Sequence, residues 1–375
     1  MTPRRVLILL IAGVIVIAGS LWLASQRHLE KATLAGDLVL PGLQKSLNDV
    51  IEIHLAKGDG TRVTLKKGAT DWVVAERDYP ADSGRVRKLL LDLGALSVVE
   101  EKTRNRELYP QLGVEDSDSP KAAGTLVEVV TPAKTFALIV GKAAEGKTGF
   151  VRVAHAEPSL LVQPLISVDA EPRSWIDRNV VDIAEPRVKE AFVEPATGPS
   201  YTASRDAAQQ SDYKVTPIPK GRELSSSSAA NDIGSAFATL QADDVRRAQA
   251  AAPATPATPA TPAAPAAPAA PAAPAAPAAP AAKPDHAVFR MFNGLELEVT
   301  GLVEGEHHFI TLVARATAKE AQTEADALNK RFQGWQIEIP GYKYQAMFRP
   351  LEELLKKVEP PKPKATKASA AKKTE

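Results

Sequence analysis

The sequence feature that most constrains the fold is a pattern that occurs twice. Residues 72–101 begin with an extended run at Trp72, break at a proline-marked turn and continue as one amphipathic helix. Residues 213–245 repeat this order from Tyr213 in a weaker form. The apolar positions of the two helical faces correspond: Val86, Leu89, Leu93 and Leu96 in the first copy, and Ile233, Phe237 and Leu240 in the second. Because an internal repeat decides architecture before local detail does, the sequence predicts two similar units.

Length and composition limit the classes of protein to which the chain can belong. Its 375 residues are enough for two domains of ordinary size and further segments outside them. The 46 basic and 45 acidic residues give a formal net charge of +1. This balance argues against nucleic acid as the main partner, because phosphate binding needs a net or clustered positive field. Cysteine is absent, which excludes disulfides, cysteine-ligated metals and thiol nucleophiles.

The N-terminal segment contains an apolar run, residues 6–24, without a charged residue. At about 1.5 Å per residue, a helix over this run is about 29 Å long, close to the bilayer hydrocarbon thickness of about 30 Å. A cleaved signal peptide is the alternative, with Ala18 and Ser20 as small residues near a processing site, but signal h-regions usually span only about 7–15 residues. The run therefore predicts an uncleaved anchor over residues 1–25, with the N-terminus inside the cell.

The first unit is expected over residues 40–185. Apolar and polar residues alternate on both sides of the glycine-containing turn 57–60, which predicts a β-hairpin, and residues 71–75 add a third strand. Asp82 or Ser83 is a suitable N-cap for the amphipathic helix that follows. Four further extended runs and a closing short helix or turn are expected at 125–130, 136–140, 150–153, 159–162 and 175–183, respectively.

The second unit is expected over residues 186–358 and repeats this path. Extended runs are expected at 188–193, 201–204, 213–216, 287–292, 295–300, 308–314, 335–339 and 344–348. Helices are expected at 231–247 and 318–332, and a last helical turn or two at 350–358. Each unit is thus predicted to be a mostly antiparallel sheet with one main amphipathic helix, which makes the chain an α+β protein.

An Ala/Pro-rich insert, residues 250–284, interrupts the second unit and is predicted to be disordered. Prolines recur every third residue from Pro253 to Pro280, which suits an extended polyproline II rod with three residues per turn. One interpretation is a spacer that crosses the cell envelope. The other is a tolerated expansion of a surface loop, because loop length costs stability only logarithmically. The repeat register aligns the insert with residues 105–120 and favours the expansion, while the lysine-rich tail 359–375 is also predicted to be disordered.

The octet Gly141–Thr148, GKAAEGKT, fits the phosphate-loop pattern, in which Lys147 would hold phosphates and Thr148 would meet magnesium. That chemistry requires a helix to begin at once, because the amides at its N-terminus complete the anion site. The next residues, GFVRVAH, alternate as a strand, and the predicted sheet lacks the alternating helices of a parallel nucleotide-binding fold. The octet is therefore interpreted as the turn of a β-hairpin.

Other candidate motifs are incomplete. Residues 211–214 fit S-x-x-K, but the S-D-N motif of penicillin-binding enzymes is absent. His307 and His308 are adjacent, so on a strand they point to opposite faces and cannot ligate one metal. Asp116 and Asp118 lack the glycine and distal glutamate of a calcium loop. The sequence therefore predicts no catalytic residue, no cofactor-binding residue and no metal ligand.

Three stretches of the first unit resemble the DUF4340 family. They are Trp72–Val74 with Tyr79–Asp82 and the helix to Leu96, Leu138–Gly141 followed by Phe150–Arg152, and Trp175–Arg178. The likeness covers most of residues 40–190 and, more faintly, the second copy. The resemblance implies a membrane-anchored envelope protein, often encoded beside components of ABC-type transport or gliding motility, and an accessory role. It also supports the hairpin interpretation of the phosphate-loop match.

The combined expectation is a non-enzymatic accessory or scaffold protein of the bacterial inner membrane. A single membrane pass over residues 6–24 would leave the bulk of the chain in the periplasm, where other inner-membrane and envelope proteins are the expected partners. Permease components of ABC transporters are candidates, and nucleic acid is not expected. Two alternatives stay open: binding of an anionic cell-wall polymer through the lysine tail, and a nucleotide-dependent enzyme acting through Lys147.

Overall fold

The computed structural model describes residues 35–119, 121–248 and 283–357. The chain divides between Trp175 and Ile176 into two compact units. The predicted anchor over residues 6–24, most of the Ala/Pro-rich insert and the lysine-rich tail lie outside the described residues. None of the helices within the described ranges has the length and apolar character that a membrane crossing requires.

The first unit is built on one sheet of nine strands, and every neighbouring pair is antiparallel. The strands are β1 Glu52–Lys57, β2 Arg62–Lys67, β3 Trp72–Val74, β4 Tyr79–Pro80, β5 Ser97–Thr103, β6 Thr125–Val130, β7 Thr135–Ala143, β8 Gly149–Val153 and β9 Ser159–Gln163. Their spatial order is β4-β3-β2-β1-β6-β7-β8-β9-β5. Since β4 and β5 lie at opposite edges, the chain must cross the sheet between them.

Helix α1, Ser83–Gly94, makes this crossing. The Asp82 carboxylate caps its N-terminus by accepting a hydrogen bond from the Arg85 amide at 3.0 Å, so of the two caps that the sequence allowed, Asp82 or Ser83, the first is used. The residues that α1 buries against the sheet are Val86, Leu89, Leu90 and Leu93. Trp175 closes the same core, and its indole N–H donates to the Asp169 carbonyl oxygen at 2.6 Å. A shorter helix, α2, spans Tyr109–Leu112.

The second unit contains a sheet of eight strands and a separate pair. The sheet strands are β11 Val188–Glu194, β12 Tyr201–Ser204, β13 Lys214–Thr216, β15 Asp244–Arg247, β16 Asp285–Met291, β17 Leu295–Glu304, β18 His307–Ala316 and β19 Trp335–Glu338. The pair consists of β10 Asn179–Val181 and β14 Leu240–Gln241. The spatial order of the large sheet is β13-β12-β11-β16-β17-β18-β19-β15, and its neighbouring strands are antiparallel.

The two large sheets have the same strand order, except that β4 has no counterpart in the second. In each unit, a segment near the start of the unit also forms backbone hydrogen bonds with the residues just before one edge strand, which is β5 in the first unit and β15 in the second. In the first unit the Val39 amide donates to the Leu96 carbonyl at 2.9 Å, just before β5, and in the second β10 pairs with β14, just before β15. In sequence order, the connection between β15 and β16, which includes the Ala/Pro-rich insert, corresponds to residues 104–124 between β5 and β6.

Helices α3 Gln322–Phe332, α4 Gly341–Phe348 and α5 Leu351–Leu354 belong to the second unit. The helices expected at 318–332 and 350–358 are thus confirmed in position. The extended run expected at 344–348 is wrong, because these residues form the second half of α4. Tyr344, Met347 and Phe348 are buried at helical spacing, so burial of one helix face prevails over the β propensity of the aromatic residues.

The helix expected at 231–247 is also wrong. Only Asn231–Ile233 forms a 3₁₀ turn, and β14 and β15 occupy the C-terminal part of the range. The amides of Ala236 and Ala238 donate to carbonyls three residues earlier rather than four. The Lys343 ammonium donates hydrogen bonds to the Ser235 and Ala238 carbonyls at 2.9 and 2.6 Å. It therefore serves as the donor that backbone amides would provide in an α-helix.

Two further elements differ from the expectation. Residues 175–183, expected to be a short helix or turn, contain β10, whose partner strand β14 lies far away in the sequence. Strand β5 was not predicted, because its charged residues hide the apolar alternation and its partner β9 is likewise distant. The predicted class itself is confirmed: the described residues form an α+β fold with antiparallel sheets and few helices.

Candidate binding groove on the first unit

An open groove of about 540 Å³ lies on the surface of the first unit. Its walls are α1, the turn that joins β2 to β3, and two 3₁₀ turns at Leu43–Lys45 and Leu47–Asp49. The 3₁₀ turns pack closely on the end of α1: a Cβ atom added at Gly94 would lie 3.4 Å from both terminal carbons of Leu47. A methyl group at this position would be in ordinary van der Waals contact with Leu47, so the 3₁₀ turns and α1 lie close together here.

The apolar part of the groove consists of Leu47, Trp72, Leu90 and Leu91. Leu90 belongs to the buried face of α1, with 7% of its surface exposed, whereas its neighbour Leu91 is 55% exposed. Single exposed leucines are common on protein surfaces and need no explanation. Leu91 differs because it lies in a concavity beside other apolar side chains. The groove thus offers an unfilled contact for an apolar side chain.

The charged part of the groove consists of Lys67, Asp71 and Arg87. The Lys67 ammonium donates to the Asn48 carbonyl oxygen at 2.8 Å, and Arg87 is exposed on α1. Among the described residues, neither cation forms an ion pair. Two cations and one carboxylate leave the groove with an excess of positive charge. An acidic group on a bound molecule would therefore find oppositely charged partners here.

The phosphate-loop match lies elsewhere in the first unit and forms a β-hairpin, which confirms the interpretation from the sequence. Gly141–Thr148 covers the end of β7 and the turn before β8. The Thr148 hydroxyl donates to the Glu145 carbonyl at 2.7 Å, and the Ala144 amide donates to the Thr148 carbonyl at 3.0 Å. Lys147 is exposed at this turn, and strand β8 follows instead of a helix. The helix N-terminus that phosphate loops use is thus replaced by a strand.

The other motifs that the sequence suggested are also separate from the groove. His307 pairs with Glu338 at 2.6 Å, while the His308 ring packs 5.0 Å from the Tyr344 ring, so the two histidines point to opposite sides as predicted. Asp116 pairs with the buried Arg152. Lys214 of the S-x-x-K match pairs with Asp206 at 2.8 Å. Within the described ranges, no group of three His, Cys, Asp or Glu residues could hold a metal ion.

The sequence does not locate the groove, although it predicts two of the elements that form it. It predicts the strand over residues 71–75, which contains Trp72, and the helix that follows, from its buried face. The local signal that could have pointed to the groove is Leu91, an apolar residue off the buried face of α1. The 3₁₀ turns and the β2–β3 turn carry no such signal, because their approach to α1 depends on the tertiary fold.

One family model matches the chain: DUF4340, a domain of unknown function, over residues 72–262. This match spans about half of the chain and includes α1, one wall of the groove. No curated protein and no solved structure matches the chain.

Proposed function

This chain belongs to the DUF4340 family, and we propose that it is a non-enzymatic accessory protein of the bacterial inner membrane that binds another envelope protein through the groove. In this proposal, residues 6–24 form a single membrane pass with the N-terminus in the cytoplasm and the rest of the chain in the periplasm. The length and apolar character of that run support the anchor.

The proposed layout comprises an anchor over residues 1–25 and two repeated units over 40–185 and 186–358. The shared strand order of the two large sheets supports a common origin by duplication. The second unit differs from the first in the elements that pack on its sheet, because α4 and a series of 3₁₀-type turns take the place of α1. We therefore assign partner binding to the first unit, which carries the groove.

The observation that carries the proposal is the exposed Leu91 in one groove with two cations that have no carboxylate partners, Lys67 and Arg87. An apolar surface bordered by charges is typical of a protein interface, in which apolar anchors fill pockets and charged groups define the register. The groove is open rather than enclosed, so it suits a segment of a protein chain. We propose as its occupant a segment that presents an apolar side chain next to an acidic residue.

The position of the first unit favours a membrane protein as the partner. Only residues 25–34 lie between the proposed membrane pass, residues 6–24, and the described part of the first unit. At a maximum of about 3.5 Å per residue, this segment reaches about 35–40 Å. The groove would thus lie close to the membrane surface, where periplasmic loops of a permease component of an ABC-type transporter are accessible.

The test is affinity purification of the full-length protein from gently solubilised membranes, followed by mass spectrometry. We expect stoichiometric recovery of an inner-membrane partner with the natural sequence and its loss with Leu91→Asp. Val303→Asp is the matched control, because Val303 is 46% exposed and belongs to the second unit. The control should retain the partner.

Two results would count against the proposal. The first is recovery of the protein alone under conditions that keep other membrane complexes intact. This result would favour the alternative function, binding of a cell-wall polymer. The second is equal recovery of the partner with Leu91→Asp, which would exclude the groove as the contact. The alternative nucleotide function has its own test, since it requires an ATP-dependent thermal shift that Lys147→Ala abolishes.

A further inference from the structure

Three cationic side chains of the second unit, Arg222, Lys356 and Lys357, line an open cavity of about 490 Å³. They come from two segments that are far apart in the sequence, and a short backbone pairing joins these segments. The Ser225 amide donates to the Leu354 carbonyl at 2.8 Å, and the Lys356 amide donates to the Glu223 carbonyl at 2.9 Å. The three positive charges are thus held together by the fold, although like charges repel each other.

Arg222 is the most enclosed of the three, with 23% of its side chain exposed. Its Nη2 atom donates to the Glu352 carboxylate at 3.0 Å and to the Lys356 carbonyl at 3.2 Å. Its Nε atom is buried without an acceptor in the described part of the chain. A guanidinium has five N–H donors, so these bonds use only part of its capacity. A buried donor without an acceptor is unusual and costs stability, which makes the Arg222 guanidinium a candidate for an additional acceptor.

The two lysines contribute unequally to the charge of the cavity. The Lys356 ammonium pairs with the Glu223 carboxylate at 2.7 Å, and this hydrogen bond lowers the pKa of Glu223. Lys357 is exposed and forms no ion pair with any described residue. The residues that line the cavity thus comprise three cations and one carboxylate. With Glu352, which pairs with Arg222, the cluster has three cations and two carboxylates, so a smaller net positive field remains at the cavity.

We propose that this cavity binds a phosphate group. The Nη1 group of Arg222, which has no acceptor among the described residues, can donate to a phosphate oxygen, and the ammonium groups of Lys356 and Lys357 add mobile point charges. The same chemistry would accept free phosphate or a phosphodiester of an anionic polymer or lipid headgroup. The proposed site lies on the second unit and does not depend on partner binding in the groove of the first unit.

Isothermal titration calorimetry of the full-length protein in a neutral detergent at low salt tests the site. The probes are inorganic phosphate, glycerol 3-phosphate and the diester glycerophosphoglycerol. Arg222→Gln should weaken binding about tenfold, because it removes a charge-assisted hydrogen-bond donor. Lys357→Gln should weaken binding about two- to threefold, as expected for a solvent-exposed charge. Lys330→Gln, an exposed lysine on α3, is the matched control and should leave the affinity unchanged.

A variant with increased affinity separates binding from damage to the fold. Glu223→Gln removes the carboxylate that neutralises Lys356, so it should strengthen binding about two- to threefold. Preference for inorganic phosphate would identify a free anion as the ligand, whereas preference for the diester would indicate a polymer or a lipid headgroup. Absence of binding to all three probes would overturn the proposal. Equal affinity in the Arg222, Lys357 and Lys330 variants would also overturn it, because binding would then belong to lysines elsewhere in the chain.

Discussion

The side-chain amide of Asn329 pairs with both backbone groups of Ala314 in the way that a neighbouring strand would. Its Oδ1 atom accepts a hydrogen bond from the Ala314 amide at 2.8 Å, and its Nδ2 atom donates to the Ala314 carbonyl at 2.7 Å. Strand β18 pairs with β19 only at Phe309 and Ile310, so Ala314 lies beyond the end of that pairing. Helix α3 thus covers the remaining edge of β18 and supplies a side chain that satisfies it.

Substitution Asn329→Leu should destabilise the second unit by about 2–3 kcal/mol, because it leaves the amide and the carbonyl of Ala314 without partners. Ala314 is 3% exposed, so water cannot replace the lost hydrogen bonds easily. Hydrogen exchange measured by mass spectrometry reports this site directly. We expect faster exchange in the peptide that contains Ala314, and a lower midpoint of urea denaturation.

The control for this variant is Lys330→Ala, the next residue on α3, which is exposed. It should change stability by less than about 0.5 kcal/mol, as surface substitutions usually do. If Asn329→Leu gives the same exchange rate at Ala314 as the natural sequence, the side-chain bridge does not protect that strand.

The comparison of α1 with Asn329 shows what the sequence can predict. Helix α1 follows from local information, namely the Asp82 cap and apolar residues at helical spacing. Helix α3 was also predicted from its local pattern. The role of Asn329 was not, because it depends on where β19 stops pairing with β18. Local patterns therefore predict the elements, whereas long-range pairing decides how their edges are satisfied.

The dependence on long-range contacts also explains why the helix predicted at 231–247 in the second unit is wrong. Residues 231–247 have apolar positions at helical spacing, but the Lys343 ammonium, which comes from α4, holds two carbonyls of this segment. No local rule could supply that contact. Similarly, the groove requires three segments to meet at α1, and only the exposed Leu91 gives any sign of it in the sequence. The hairpin at Gly141–Thr148 was predictable because it is entirely local.

Lys343 gives a second prediction, which concerns pH. Burial lowers the pKa of Lys343, and the charge of Asp182 opposes this effect only in part. Between the folded pKa and the ordinary value of 10.5, the unfolded chain binds a proton that the folded chain has lost. The contribution of Lys343 to stability therefore increases as the pH rises through this window.

Substitution Lys343→Met should remove this pH dependence and also cost about 1–3 kcal/mol at neutral pH, because the Ser235 and Ala238 carbonyls lose their donors. The measurement is the difference in denaturation free energy between the natural sequence and the variant at pH 7, 9 and 10. Lys319→Met, at an exposed lysine, is the control. A difference that stays constant from pH 7 to 10 would show that the pKa of Lys343 is not lowered.

Tyr344 gives a third prediction, because its hydroxyl donates to the Asp285 carboxylate at 2.6 Å. Burial of the hydroxyl raises the pKa of Tyr344 most, and the hydrogen bond to Asp285 and the charge of Asp285 raise it further. A raised pKa stabilises the fold below the unfolded value near 10, and this contribution is lost at higher pH. Tyr344→Phe should therefore cost about 1.5–3 kcal/mol at pH 7, as expected for a hydrogen bond to a charged group.

Tyrosinate absorbance distinguishes this ionisation from other effects of the substitution. In the folded protein, the natural sequence and Tyr344→Phe should gain the same absorbance between pH 9 and 11, because Tyr344 does not ionise there. In urea, the variant should show one tyrosine fewer among the six of the natural sequence. Tyr342→Phe, at a residue 69% exposed, is the stability control. A smaller absorbance gain in folded Tyr344→Phe would mean that Tyr344 ionises normally.

Asp169, whose carbonyl accepts the hydrogen bond from the Trp175 indole, gives the last prediction, which concerns stability at low pH. Burial raises the pKa of Asp169, but hydrogen bonds from Ser174, the Glu171 amide and Lys57 together outweigh burial and lower it below its ordinary value of 3.8. A lowered carboxyl pKa stabilises the fold above the unfolded value, and this contribution disappears as the pH falls through the folded value.

Because the side chain is 38% exposed, solvent screening limits the effect of Asp169→Asn to about 1 kcal/mol at pH 7. Thermal denaturation should show a lower midpoint for Asp169→Asn at pH 7 and a difference that shrinks as the pH is lowered to 2.5, whereas Asp118→Asn, on an exposed turn, should match the natural sequence at both. An unchanged difference at pH 2.5 would mean that the variant acts through packing around Trp175 rather than through the carboxylate charge.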